Sequence, residues 1–156
     1  MATLRHMTAA DLEAVLSIQK ASPGAAQWPA DEWRIFCGQQ DALEYDNLRT
    51  GYHAWVADEE GAVVGFLAGL FSGEELEILN LAVASGARRT GIASALLSEA
   101  LAAARKSGGG RVFLEVRASN AGAIVFYQGH GFLPAGLRNN YYREPLESAL
   151  VLARKI

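Results

Sequence analysis

The sequence predicts a mixed α/β fold, with helices packed on a central sheet, and three observations point to it. Short apolar segments at strand spacing cluster in the middle of the chain. Helical periodicity is confined to segments before and after that cluster. The two kinds do not alternate steadily, as they would in a doubly wound sheet. One domain over residues 1–156 is expected, with about six or seven strands and about four helices in the order β-α-α-β-β-β-α-β-α-β-β.

Thr3 to Met7 reads as the first strand. Thr8-Ala-Ala-Asp11 has the spacing of a capping box, and Leu12, Val15, Leu16 and Gln19 continue at helical spacing. A second helix is expected to open at Pro29, whose missing N–H costs nothing in a first turn. Trp33, Phe36 and Cys37 are its apolar members; the stretch to Leu48 extends it or forms a short third helix, and Gly51 breaks it. Tyr52–Ala57, Ala62–Phe71 and Leu76–Val83 then read as a strand meander, separated by Asp58-Glu-Glu-Gly61 and Ser72-Gly-Glu-Glu75.

Ile92 to Lys106 has the strongest helical pattern. Ile92, Leu96 and Ala100 form one row, Leu97 and Leu101 lie beside it, and Arg105-Lys106 followed by Gly108 supply the C-terminal charge and cap. Val112–Val116 is another strand. Ser119 and Asn120 are N-caps for a helix through Tyr127, closed by Gly129 and Gly131. Phe132 onward and Leu146–Ala153 complete the sheet.

Composition narrows the function. With 51% hydrophobic and 20% charged residues among 156, the chain can bury a core, which excludes general disorder. Cys37 is the sole cysteine, so no intrachain disulfide forms, and a thiolate zinc site is not expected. The uncharged run Ala62–Ser72 is far shorter than the ~18–20 residues that cross a bilayer, and the N-terminus lacks a signal-like apolar stretch. A cytoplasmic protein without a membrane partner is expected.

The net charge of −3 argues against general nucleic-acid binding, but it is unevenly spread. Residues 41–83 carry nine carboxylates against Arg49, whereas residues 84–117 are basic. His6, His53 and His130 show no metal spacing and read as surface or structural. Trp28, Trp33 and Trp55 are core residues or cleft walls. Gly61, Gly65 and Gly69 recur in a predicted strand, not in a membrane helix.

Arg88-Arg89-Thr90-Gly91-Ile92-Ala93 lies between a strand end and a helix start, where unpaired N–H groups and the helix dipole converge. Gly91 permits close backbone approach, Ala93 and Ser94 leave room, and two arginines add charge. No Walker A lysine and no Gly-x-Gly-x-x-Gly fingerprint is present. What remains is a single-glycine loop for a diphosphate without a metal, or an ordinary solvated loop.

These residues carry a family resemblance. Leu79-Asn-Leu-Ala-Val83 followed by Arg-Arg-Thr-Gly-Ile-Ala93 resembles the acetyl-CoA motif of the GNAT acetyltransferases, Gln/Arg-x-x-Gly-x-Gly/Ala. Leu114-Glu-Val-Arg-Ala-Ser-Asn120, Tyr127 and Gly131-Phe132 resemble the family's second block. With Asn139 to Tyr142, this region is similar to the ribosomal-protein alanine N-acetyltransferase branch.

The resemblance implies a GNAT fold with a splayed fourth strand. It also implies direct transfer of acetyl from acetyl-CoA to a primary amine, without an acyl-enzyme or a metal. It places backbone contacts to the pantetheine arm at Leu81, Ala82 and Val83. The pyrophosphate would be held by Arg89, Thr90, Gly91, Ile92, Ala93 and Ser94, with Arg88 also on the cofactor side, and Asn120 would contact the cofactor near its pantetheine. Glu115 takes the base position and Tyr127 the acid position, while Tyr141 and Tyr142 line the peptide entrance. The implied partner is a protein N-terminus, with the N-terminal alanine of a small-subunit ribosomal protein the best substrate guess. The branch often has two acids opening the last strand; here Ser148 follows Glu147.

Taken singly, these residues have plainer readings: Glu115 as an ion-pair partner of Arg117, Tyr127 as a packing aromatic, Asn120 as a cap. The chemistry adds a weak preference for an N-terminal amine. An α-amine of pKa ~8 is roughly a tenth neutral at pH 7, whereas lysine at ~10.4 needs over two more units of help. A phenol at ~10 is a weaker acid than a thiol at ~8.5, so full proton transfer to thiolate is uphill by about 2 kcal/mol. Tyr127 is therefore expected to hydrogen-bond the departing sulfur. A small-molecule amine acetyltransferase and a non-catalytic CoA-binding domain are the alternatives.

Overall fold

A computed structural model describes residues 2–37 and 50–156. It contains β1 (Thr3–His6), α1 (Leu12–Lys20), α2 (Ala30–Trp33), β2 (Thr50–Glu59), β3 (Ala62–Ser72), β4 (Glu75–Val83), α3 (Ile92–Lys106), β5 (Arg111–Arg117), α4 (Ala121–Gly129), β6 (Leu133–Arg143) and β7 (Leu146–Lys155). The element order is the expected one. The strands form one seven-stranded sheet in the order β1-β2-β3-β4-β5-β7-β6. Only the β4–β5 neighbours are parallel.

Local differences from the sequence reading have local causes. The capping box forms, with Thr8 Oγ1 accepting from the Ala10 N–H and Asp11 accepting from the Thr8 N–H, but it caps a tight first turn before α1 proper. The second helix is a single turn, continued by a 3-10 turn through Phe36. The predicted continuation toward Leu48 lies outside the described residues. Gly51 does not end a helix; it sits inside β2 at φ +105, opposite Phe71.

Strand alternation sorts side chains onto two faces. Trp55, Ala57, Leu67, Leu76, Ile78, Val112, Leu114 and Val116 pack under α3, joined by Tyr127 of α4. Ala54, Val56, Phe66 and Ala68 pack under α1 and α2 with Val15, Ile18, Trp33 and Phe36. Trp33 and Trp55 are fully buried core, and Trp28 stacks on Phe36 at 5.4 Å, so the tryptophans belong to the core and do not wall a cleft. Cys37 packs in the same cluster, its thiol pushed up by burial and donating to the Trp33 carbonyl, as a small helix residue would.

One irregularity shapes the sheet. Ala68 pairs with Asn80 but Gly69 pairs with Ile78, so Leu79 is an extra residue on β4. Such a bulge bends its strand and resets its alternation. Leu76 and Ile78 face α3, Leu79 and Ala82 face α1, and Leu81 and Val83 face α3 again. Parallel pairing with β5 stops at the same point, at Ile78 with Leu114, although β4 continues to Val83 and β5 to Arg117.

At the other edge, Arg5 clamps β1 to the start of α1. Its guanidinium donates to both Asp11 oxygens at 2.8 and 2.9 Å and to Asp58 at 3.1 Å. Burial of Asp11 opposes ionisation, and the Arg5 and Thr8 donors more than offset that, leaving its carboxyl below the usual range. The lowered value means that stability from this clamp is full above about pH 4 and is lost as pH falls through the native-state value. Asp11→Asn should therefore flatten the acid loss of stability in urea unfolding below about pH 4; an unchanged pH slope would contradict the clamp.

Candidate active site

Beyond Ile78, the backbone groups that β4 turns toward β5 have no partner on that strand. The two strands part into a wedge that opens through the sheet. A cavity of about 470 Å³ fills it, lined by Ile78–Leu81 of β4, Leu114–Arg117 of β5, Asn120, Ala123 and Tyr127 around α4, Tyr142 of β6 and the 23–27 loop. Six of the sequence-predicted site residues converge here or at its rim: Leu81, Glu115, Asn120, Tyr127, Tyr142 and, beside Tyr142, Tyr141. Ala82, Val83 and residues 88–94 lie outside the cavity wall, further along β4 and onto α3.

Two buried amides hold the 23–27 loop over the wedge. Asn80, 4% exposed, accepts from the Ala26 N–H at 3.2 Å and donates to the Ala26 carbonyl at 3.0 Å. Gln19 accepts from the Trp28 N–H and the Trp33 indole and donates to the Trp28 carbonyl. A Cβ at Gly24 would stand 3.2 Å from the Asn120 side-chain nitrogen, so the loop passes close to the opposite wall. In the sequence Gln19 reads only as a member of the first helix's row and Asn80 only as part of the Leu79–Val83 motif, with no loop-holding role. A polar Asn80 in an apolar strand was the available signal.

Asn120 accepts from the Ala123 N–H as the N-cap of α4, as the sequence reading allowed, and also lines the cavity. Tyr127 enters from the α3 side of the sheet and Glu115 from the other, so they approach the wedge from opposite faces. Burial pushes the Tyr127 phenol well above its ordinary value. Proton release from it is therefore harder than the sequence-level figures implied.

Glu115, with its side chain 13% exposed, is paired with Arg138 Nη1 at 3.1 Å. Arg117, its expected alternative partner, instead pairs with Glu147 and lies 4.2 Å from the Tyr142 ring centroid. The neighbouring Glu115 carboxylate pushes the Tyr141 phenol up, and Tyr141 packs edge-on against Tyr142 at 5.1 Å. Glu77 sits on the same face as Glu115, one strand away. Its carboxyl is pushed up by burial and by Glu115. Glu147 accepts from the Ser119 N–H and hydroxyl, which hold its carboxyl below the usual range and tie β7 to the start of α4. Arg138 and Glu77 are site residues the sequence reading missed.

The loop before α3 has two left-handed residues, Arg89 at φ +64 and Gly91 at φ +84. Gly91 caps the helix without a side-chain bond, leaving the first-turn N–H groups of Ile92, Ala93 and Ser94 open to a ligand. Nothing lies within 4 Å of where a Cβ at Gly91 would stand, so approach from outside is unobstructed. Arg88 does not aim its guanidinium outward: it donates to the Val83 and Ala21 carbonyls and to Ser22, latching α1 to the end of β4. Thr90 donates to the Ala87 carbonyl, and Ser94 shares a 3.0 Å hydrogen bond with His130. Open N–H groups on α3, a free β4 edge and a wedge between them fit a diphosphate joined to a long polar arm. No group of metal-ligating side chains converges among the described residues, and no described helix is long and apolar enough to cross a membrane.

The profile of the acetyltransferase (GNAT) family matches residues 12–132. The chain belongs to the GNAT acetyltransferase family. The ribosomal protein bS18-alanine N-acetyltransferase of Salmonella typhimurium is 30% identical over 158 residues, covering 100% of this chain and 99% of the relative. The crystal structure of the ribosomal-protein-S18-alanine N-acetyltransferase from Escherichia coli superposes with a TM-score of 0.80 at 28% identity, over 100% of this chain and 94% of that one. A ribosomal-protein-alanine N-acetyltransferase from Brucella melitensis gives 0.76 at 26% identity, over 99% of each chain. As a GNAT acyltransferase, the chain transfers acetyl, and the family's donor is acetyl-CoA.

Asn80→Ala should remove both bonds to the Ala26 peptide. A loss of about 1–3 kcal/mol in urea unfolding is expected, with protease cleavage between residues 22 and 28 enhanced. A stability change under about 0.5 kcal/mol would show that the loop is held without this amide.

Proposed function

We propose that this GNAT enzyme acetylates protein N-terminal α-amines, with the N-terminal alanine of a small-subunit ribosomal protein as its acceptor. The observation that carries this reading is the wedge itself. Glu115 and the Tyr141–Tyr142 pair stand on the face of the sheet away from α3, and Tyr127, Asn120 and the α3 N-terminus stand on the other. An acceptor entering between the tyrosines meets the donor inside the sheet. Relatives that span the whole chain and bear the ribosomal-protein alanine name support the choice of acceptor.

Acetyl-CoA supplies an acyl group activated as a thioester. Leu81, Ala82 and Val83 present backbone groups to its pantetheine arm, and a strand N–H of this segment polarises the thioester carbonyl. Arg89, Thr90, Gly91, Ile92, Ala93 and Ser94 hold the pyrophosphate through their N–H groups and charge. Arg88 contributes through its backbone, since its side chain is committed to α1 and β4. Asn120 contacts the arm where it passes α4. Glu115 takes one proton from the acceptor ammonium, directly or through water. The free amine then attacks the thioester carbon, a C–N bond replacing the C–S bond. The second nitrogen proton passes to the departing thiolate, to which Tyr127 donates a hydrogen bond while keeping its own proton.

Turnover on Ala-, Ser- and Met-starting peptides, polyamines and aminoglycosides tests the acceptor class. The expected result is preference for an Ala-starting peptide. Acetylation confined to small amines would overturn the N-terminal reading, and donor binding without turnover on any amine would overturn the enzyme assignment of this site. Glu115→Gln should lower kcat about 10²–10⁴-fold. Tyr127→Phe should lower kcat with little change in acetyl-CoA affinity; unchanged turnover would remove its role.

A further inference from the structure

On the face that carries Glu115, the charges come in pairs. Glu75 on β4 pairs with Arg111, Arg117 on β5 pairs with Glu147 on β7, and Arg138 on β6 pairs with Glu115. Glu77 on β4 has no ion pair among the described residues, and Arg138 and Glu115 are its charged neighbours with Glu75. Tyr141 and Tyr142 of β6 and Tyr127 of α4 are phenols shifted away from ionisation, and the 23–27 loop brings no charge. Among the described residues, the ion pairs on this face therefore leave Glu115 and Glu77 against Arg138, a net charge of −1 on the proposed acceptor side.

Arg138 is placed to stay there. It is the last residue of β6 in register with β7, opposite Ala149, before pairing breaks and resumes at Tyr142. Its guanidinium holds one oxygen of Glu115 at 3.1 Å and lies 5.2 Å from the Tyr141 ring centroid. A guanidinium keeps its charge at every working pH.

We propose that Arg138 is a positioning residue for the acceptor amine: its guanidinium remains on Glu115 during binding, so that one net negative charge recruits the incoming ammonium while a fixed positive charge beside it favours loss of its proton. The proposal rests on the reading of Glu115 as the group that receives the amine. Two bare carboxylates would hold an ammonium tightly and keep it protonated, which is the wrong state for attack. A neighbouring cation weakens that bias, by the logic that activates a lysine beside another positive group. The acceptor class that fits is a monocationic terminal amine; a polyamine would find too little negative charge.

Steady-state kinetics with an Ala-starting peptide and acetyl-CoA from about pH 6 to pH 10 test this with Arg138→Gln, Arg138→Met and Arg138→Lys. The neutral variants should lower the peptide KM and move the acidic limb of kcat toward alkaline pH by about one unit, a tenfold loss of kcat on that limb. Arg138→Lys should restore both. The side chain is 57% exposed on an edge strand, so the melting temperature serves as the folding control. A raised KM with the limb unmoved would mean a merely structural role and overturn the proposal, as would a lysine variant that fails to restore the profile. If wild type acetylates no amine, or Glu115→Gln turns over normally, the underlying reading of the site falls as well. If both of those controls behave as expected and the limb does not move, the Arg138 proposal falls alone.

Discussion

The site depends on one extra residue in β4. Leu79 bulges out of the β3–β4 ladder, and β4 parts from β5 at the next step. Without it, the parallel ladder would continue past Ile78 and Leu114 and close the wedge. The bulge also resets alternation, so that Asn80 reaches the 23–27 loop while Leu81 and Val83 rejoin the α3 core. A hole in a sheet would ordinarily be closed by side chains or by strand pairing. Here it is kept open by a clamped loop on one side and α4 on the other.

On the proposed reading, that opening lets one small enzyme take its two substrates from opposite faces. The loop before α3, Asn120 and Tyr127 belong to the α3–α4 layer, and Glu115, Glu77 and Arg138 belong to the other face. The uneven charge along the sequence follows this division. The basic segment 84–117 contributes the loop before α3, and Glu75 and Glu77 of the acidic segment 41–83 contribute to the proposed acceptor side. The net charge of −3 averages over an acidic and a basic segment.

Much of this was legible in the sequence where the signal is local. The i, i+4 rows of α3, the strand period of β3 and the Arg-Arg-Thr-Gly-Ile-Ala loop depend on near neighbours, and each was found close to its observed bounds. The slip in apolar alternation at Ile78-Leu79 was also present, although it was read as an unbroken strand. The partnership of Glu115 with Arg138 was not legible. It requires β7 to lie between β5 and β6 and β6 to reach across at its break in register, and no periodicity encodes that. Arg88 misled for a related reason: its charge suggested a phosphate ligand, but the carbonyls of Ala21 and Val83 that engage it are set by tertiary packing.

The central claim is that the wedge beyond the Leu79 bulge receives acetyl-CoA, with its diphosphate on α3. An amide-resolved NMR titration with acetyl-CoA tests it most directly. The account predicts that the largest shifts fall on Leu81–Val83, Thr90–Ser94 and Asn120, with little change on β1 and β2. Shifts confined to the outer strands β6 and β7, with the β4 and α3 amides unmoved, would contradict it.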